Sequence, residues 1–298
     1  MLHTKLSVSI TIIWLKAIAR GEIKMKDIKI IVAAHKNYRM PKDNMYVPVH
    51  VGAEGKTDKD GNVLDLGYTK DNTGDHISEK NPYYCELTGI YWAWKNLEAD
   101  YLGLAHYRRH FATESKVDSK DPFDKVIGRG ELGKLCQKYK VIVPKKRRYY
   151  IESLYSHYAH THYAEHLDKV REIMEAKYSE YVADYDKVVK RTYGYMFNMM
   201  VMERPLYDEY CQWLFDILGE LENKVDTEGL SVFQSRFYGR VSEIIFNVWL
   251  EHQLREGRIK KSQIKELPFI YMEKINRFKK GISFIKAKLF HKRYSGSF

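Results

Sequence analysis

Two short, almost wholly apolar runs, Ile28–Ala34 and Tyr101–Ala105, constrain this chain more than any other feature. Runs of this kind, bounded by polar residues, read as strands buried on both faces, and such strands belong to parallel sheets covered by helices. The second run leads straight into His106-Tyr-Arg-Arg-His-Phe111. Ligands of open α/β sheets collect at the carboxyl ends of the strands, so His106, Arg108, Arg109 and His110 are expected to crowd that edge. The planar fork of Arg donates two parallel hydrogen bonds to neighbouring oxygens, which makes a pyrophosphate the natural guest. A purely structural ion-pair node competes with this reading.

The first strand, Asp27–Ala34, delivers His35, Lys36, Asn37 and Tyr38 to the same edge, and Met45–Val51 reads as a second strand. A Gly/Asp/Lys-rich loop continues to Gly74. Apolar residues from Tyr83 to Asn96 fall at helical spacing, with Asn81 as the expected cap and Pro82 at the first helical position. Leu132–Tyr139 reads as a helix and Lys140–Val143 as a strand, followed by Pro144 and the basic run Lys145–Arg148. Glu152–Tyr163, Leu167–Tyr178, Tyr181–Lys190, Leu206–Leu221 and Val241–Leu250 read as helices, interrupted by a strand within Tyr195–Met202. Strands concentrate in the first half and helices in the second. One α/β domain is expected, with a central, mostly parallel sheet flanked by helices and a helix-rich C-terminal half.

The net charge of +11 is unevenly placed. Residues 1–24 carry Lys5, Lys16, Arg20 and Lys24 against Glu22, and 274–298 carry eight Lys/Arg and no acid. Removing these from the totals of 50 basic and 39 acidic residues leaves 25–273 balanced. That distribution argues against nucleic acid, which wants cations spread over a folded face, and favours a tail that touches an anionic surface. In 274–298, Ile275, Phe278, Ile282, Ile285 and Leu289 recur at three and four residues among cations, the pattern of an in-plane amphipathic membrane helix. No apolar run is long enough for a conventional transmembrane helix. Leu6–Leu15 is short, and residues 1–24 read as an extension before a start at Met25. Cys85, Cys136 and Cys211 lie far apart, which suits a reduced, cytoplasmic compartment.

Asp71–Asn81 is a polar, glycine-containing loop that feeds the helix beginning near Pro82, and such a loop can present backbone N–H groups to an anion. His157, His160, His162 and His166 have spacings that would also suit zinc, although an acceptor-binding or merely polar helix face is the preferred reading. Tyr91, Trp92, Trp94 and Tyr107 are candidate platforms for sugar rings.

These motifs, in this order, resemble a bacterial exopolysaccharide and capsule glycosyltransferase family, long filed as a domain of unknown function and grouped with GT-A-like (Rossmann-like) nucleotide-sugar transferases. The resemblance is carried by Ala33–Tyr38 with Met40-Pro41, Asp71–Ile77, Cys85–Thr88, Tyr91–Asn96 and Gly103–Arg109. Later echoes are Tyr195–Met199, Tyr210–Leu218 and Arg236–Glu243. It implies transfer of a hexose from a nucleotide sugar, with UDP-galactose in pyranose or furanose form the leading expectation, to a lipid-linked saccharide. On the matching motifs it implies donor contacts from Ala34, His35, Lys36, Tyr38, Asp71, Asp75, Asn81, Glu86, Thr88, Lys95, His106 and Tyr107. Acceptor contacts are expected from His160, His162, Tyr195, Asn198 and Arg236. The expected division is an extension over 1–24, a transferase domain over 25–273 and a membrane-associating tail over 274–298, with the enzyme peripheral on the inner face of the plasma membrane.

GT-A enzymes commonly hold the donor through a divalent metal on Asp-x-Asp after a central strand. Here His106-Tyr-Arg-Arg109 occupies that place. Asp58-Lys-Asp60 and Asp184-Tyr-Asp186 do not follow strands. Metal-independent stabilisation of the leaving diphosphate by Arg108 and Arg109 is therefore expected, with Mg²⁺ or Mn²⁺ left open. An inverting transferase also needs a carboxylate base, for which Glu243 is the first candidate and Asp75 and Glu86 are rivals. Two other classes stay open: a non-catalytic saccharide- or lipid-binding assembly factor on a donor fold, and a nucleic-acid-binding protein using the basic ends.

Overall fold

The computed structural model describes residues 26–273. Strand β1 (Ile28–Ala34) lies at the middle of the main sheet, paired in parallel with β2 (Tyr46–His50) on one side and β4 (Tyr101–His106) on the other. Strand β3 (Thr69–Lys70) extends the sheet past β2. On the far side of β4, β9 (Met200–Glu203) runs antiparallel, followed by β6 (Val141–Pro144) and then β10 (Ile264–Leu267), parallel to β6. The spatial order is β10-β6-β9-β4-β1-β2-β3. Every strand on that path except β9 points its carboxyl end to one edge. Gly103 makes the β4–β9 pairing possible, because a Cβ there would stand 2.4 Å from the Met200 carbonyl oxygen.

Alternation along the strands sets two faces. Ile31 and Val51 lie on the face covered by α2 (Leu87–Asn96), where a Cβ on Gly89 would press on both side chains. Tyr46 and Tyr101 project to the opposite face and donate to the carbonyls of Ile127 and Cys136, so this side is closed by the segment holding α3 (Arg129–Cys136). The C-terminal half supplies α4 (Leu154–Thr161), α5 (Glu165–Lys177), α6 (Val182–Val188), α7 (Arg204–Glu222), α8 (Val232–Ser235) and α9 (Phe237–Arg255). Helix α9 is buried without a break from Val241 to Leu250 and serves as the axis of this half. Among the described residues no helix is long and apolar enough to cross a membrane. The extension 1–24 and the tail 274–298 lie outside the described residues.

Two local expectations are corrected. The helix read from Tyr83 to Asn96 is broken: α1 (Asn81–Tyr84) ends at Cys85, which has φ 55, before α2 begins. Asn81 is not the cap. Its amide donates to the Cys85 carbonyl and to Thr88 Oγ1, bracing the break from inside. The strand expected within Tyr195–Met202 starts only at Met200, because Phe197 and Asn198 have φ 78 and 53 and turn the chain first.

Asp71 is a keystone and not a surface ligand, since none of it is exposed. Its carboxylate accepts from Gly52 N (2.8 Å), Ala53 N (3.0 Å), Thr88 Oγ1 (2.7 Å) and Ser78 Oγ, joining the end of β2, the polar loop and α2. Thr88 is equally buried and belongs to this network. Asp71→Ala would leave four buried donors without their acceptor, so a loss of about 3–5 kcal/mol is expected. Urea unfolding followed by tryptophan fluorescence measures it, and a loss below about 1 kcal/mol would remove Asp71 from this role.

Candidate active site

The chain does not run straight through the cation cluster. After His106 it turns at Tyr107-Arg108 and returns as β5 (Arg109–Phe111), with His106 facing Arg109 across the hairpin. Period-two alternation then sends Arg109 and His110 to opposite faces. His110 goes to the core, fully buried and edge-on to Tyr46, and burial pushes its pKa down to about 4. It therefore leaves the cation set. Arg108 stays exposed, 3.6 Å from Glu273. Arg109 turns inward, its guanidinium carbon 3.7 Å from the centre of the Phe197 ring and 4.8 Å from that of Tyr271, which lies on β11 (Phe269–Tyr271). Burial lowers its pKa, opposed by Tyr271, Glu243 and Glu86 around it.

The floor is built where the break at Cys85 meets the turn before β9. Asn198 Nδ2 donates to Glu86 Oε1 (2.9 Å) and to the Gly239 carbonyl (3.0 Å), while its Oδ1 accepts from Ser242 Oγ (2.9 Å). His106 Nε2 lies 2.5 Å from the Phe197 carbonyl, so this nitrogen carries the proton. Burial holds the imidazole below its usual value, against the pull of Glu86. Burial also works against the Glu86 charge, but His106, the Asn198 amide and Arg240 outweigh it and hold that carboxyl below its usual range. Asn247 clamps the turn by accepting from Tyr195 N (2.7 Å) and donating to Tyr195 O (2.8 Å).

The first two turns of α9 form a wall. Arg236 Nε donates to Cys85 Sγ at 3.0 Å, and Arg240 Nη1 lies 3.0 Å from Glu243 Oε1. Burial pushes the Cys85 thiol up to about 11, so Arg236 faces a neutral sulfur. Opposite stand the residues that follow β1. Tyr38 stacks on Tyr107 with ring centres 3.7 Å apart, fixed by Tyr68, whose hydroxyl accepts from Tyr38 N and donates to Tyr38 O. His35 is only partly covered, and its pKa is lowered first by that partial burial and then by the nearby cations Lys36, Arg108 and Arg236. Ala34 is buried at the end of β1. The result is a polar cluster at the carboxyl edge, called the cleft below, with arginines from the β4–β5 hairpin and from the start of α9 and with Glu86 and Glu243 among them.

Several expected residues lie elsewhere. Lys95 is in the last turn of α2, just before the chain re-enters β4 at its amino end, and it reaches Asp75 (4.0 Å) and Trp94. Asp75 accepts from Tyr91, and Trp94 stacks on Phe215, so this group forms the far end of the domain. Trp92 is buried and donates to Thr73. His162 is buried against Phe233 and bonded to Gln234, with its pKa pushed down to about 3 chiefly by burial. His160 and His157 each pair with Glu152. Tyr195 is buried and donates to Glu266. Arg240, Phe197 and Tyr271 escaped the sequence reading. The spacing of Arg236, Arg240 and Glu243 was the available signal, since steps of four and three put all three on one helix face.

Among the described residues no three His, Cys, Asp or Glu side chains converge. Asp58 folds its carboxylate onto Asp60 N and Asn62 N, Asp184 is taken by His252 and Arg255, and Asp186 by Arg171.

A comparison with curated proteins found no match. Among solved structures, the chain is similar to the apo structure of WbbM, a bifunctional glycosyltransferase, with 29% identity and a TM-score of 0.72. The match covers 83% of this chain and 46% of that one, so the chain spans about half of WbbM's length. The α/β architecture, with its mostly parallel sheet and helix-rich C-terminal half, is thus one that occurs in a glycosyltransferase. Residues 29–254 match the family model described as a domain of unknown function, DUF4422, and the chain belongs to that family.

Proposed function

We propose that this protein is a glycosyltransferase that moves a hexose from a nucleotide sugar, UDP-galactose as the leading donor, to a lipid-linked saccharide in capsule or exopolysaccharide synthesis. The observation that carries it is the inward Arg109 beside Glu243 and Glu86 at the carboxyl edge. The likeness to WbbM supports the reaction class. In this reading Lys36, His35 and the Tyr38–Tyr107 stack receive the nucleotide, and Arg108 and Arg109 take the diphosphate. The acceptor hydroxyl attacks the anomeric carbon and passes its proton to Glu243. The bond from that carbon to the diphosphate oxygen breaks, and its electron pair stays on the departing UDP. Fixed guanidinium groups neutralise that charge without reorganising. The place of work is the cytoplasmic face of the membrane, with 274–298 as a lipid contact.

Arg109→Ala is expected to lower kcat about 100- to 1,000-fold, whereas exposed Arg108→Ala acts mainly by raising the donor KM. UDP release from a panel of nucleotide sugars, with circular dichroism as a fold control, measures both. Full activity in the Arg109 variant removes the assigned role.

Glu243→Gln should cut kcat by about 100-fold or more while UDP affinity by calorimetry stays within about threefold. Loss of UDP binding together with rate would place Glu243 in donor binding. Complete absence of UDP binding in the unaltered protein would favour a non-catalytic assembly factor.

EDTA in excess should leave the transfer rate unchanged. A rate that vanishes with EDTA and returns with Mn²⁺ would replace arginine-based stabilisation by a metal.

A further inference from the structure

At the end of β6 the chain reads Lys145-Lys-Arg-Arg-Tyr-Tyr-Ile151. Arg147 and Arg148 form the two-residue strand β7, bridged to β8 (Tyr193–Gly194), and Tyr149 N donates to the Thr192 carbonyl. Ile151 N then bonds back to the Tyr149 carbonyl at 2.7 Å, closing a three-residue turn around Tyr150. Tyr150 has φ 60, a left-handed conformation that a side-chain-bearing residue rarely adopts unless its surroundings impose it.

That turn has one visible effect. Tyr149 is directed inward, 7% exposed, with its ring 4.2 Å from that of His157, while Tyr150 and Ile151 are thrust outward at 80% and 67% exposure. Among the described residues they are the only adjacent pair of exposed large hydrophobic side chains. Core packing does not account for them.

The surroundings of this tip are cationic. Lys145 and Arg148 are exposed, and among the described residues neither they nor Arg147 meets a carboxylate. Arg147 lies over the Tyr149 ring and Arg148 over that of Tyr193. Nearby acids are already matched: Glu266 by Lys146, Glu251 by Lys187 and Arg191, and Glu152 by His157 and His160. A tyrosine with a polar end, an aliphatic neighbour and a collar of unpaired cations is the combination that suits a lipid headgroup layer. Nucleic acid would be served by rings alone, and Ile151 offers no stacking face.

We propose that the Lys145–Ile151 loop docks this protein on an anionic lipid surface. Tyr150 and Ile151 enter the boundary between headgroups and acyl chains, and Lys145, Arg147 and Arg148 pair with lipid phosphates. The loop leaves the carboxyl end of β6, at the same sheet edge as the turn before β9 that carries Asn198. Docking there brings the cleft to the bilayer, whatever reaction the cleft performs.

The test places an environment-sensitive fluorophore on Ile151→Cys in the full chain. The three native cysteines are buried, which keeps labelling selective. Phosphatidylglycerol-containing vesicles should blue-shift the emission and raise it severalfold, with quenching by doxyl-labelled lipid. Inorganic phosphate and phosphatidylcholine vesicles should do little, and a label on Val63→Cys, in another exposed loop, should not respond. Lys145→Glu with Arg148→Glu should weaken vesicle partitioning about tenfold or more, with an unchanged thermal melt. The proposal is overturned if the chain sediments with anionic vesicles while the label at 151 stays unresponsive, which assigns binding to another segment. It is overturned equally by a shift that follows protein concentration without lipid, as for a second copy of this chain, or by one that appears with an oligonucleotide and not with vesicles.

Discussion

The site exists because β9 runs against its neighbours. Its reversal brings the turn that precedes it, Tyr195–Met199, to the same edge as the ends of β1, β4 and β6. Asn198 then stands where Glu86 and the start of α9 can reach it. The reversal rests on Gly103, since any side chain at that position would collide with the Met200 carbonyl. A packing constraint at the centre of the sheet therefore sets the polar architecture of its edge. The strained φ values at Cys85, Phe197 and Asn198 all fall at this junction, and hydrogen bonds from Asn81, Ser242 and Asn247 hold the segments that contain them.

Electrostatics at that edge follow from what is paired and what is not. Arg109 has a buried Nε with no hydrogen-bond partner and aromatic rings on its flanks that hold it by stacking, while Glu243, Glu86 and Tyr271 favour its charged form. Burial draws the His106 pKa down against the pull of Glu86, and its Nε2 donates to the Phe197 carbonyl. Arg236 borders a thiol that burial holds in its neutral form. Arg108, Arg109, Arg236 and Arg240 share this edge with Glu86, Glu243 and Glu273, and in the proposed reaction a diphosphate would meet the guanidinium groups in the multidentate form they favour.

Strands β1, β2, β4 and β6 were legible in the sequence because their apolar runs are driven by burial, a local signal that survives tertiary context, whereas β10 and β11, mostly half-buried, were not. The hairpin after His106 was not, because Tyr107 and Arg108 carry none of the Gly, Asn, Asp or Pro chemistry that marks turns. Without the turn, His110 read as a fourth cation; with it, alternation sends the ring to the core. The break at Cys85 was hidden for the same reason, since cysteine gives no hint of a positive φ. Asn198 left a faint trace, as Asn tolerates the left-handed region better than most residues. Asp71 misled because a polar loop gives no sign that one of its acids will be enclosed by two N–H groups and two hydroxyls.

The two carboxylates of the cleft are held in different ways, and the difference bears on which one serves as a base. Glu86 sits at the break between α1 and α2, with an oxygen occupied by Asn198 and a charge favoured by His106 and Arg240. A carboxylate stabilised as an anion in this way accepts a proton reluctantly and is better suited to orienting its neighbours. Glu243 stands on α9, which is buried without a break from Val241 to Leu250, and shares that helix with its partner Arg240 three residues earlier. Rigid elements hold reacting groups to tighter tolerances than loops do. Placing the proton acceptor on α9 and the anion-holding arginine on the β4–β5 hairpin divides the two charges of the proposed reaction between helix and sheet, and substrate would fill the space between them.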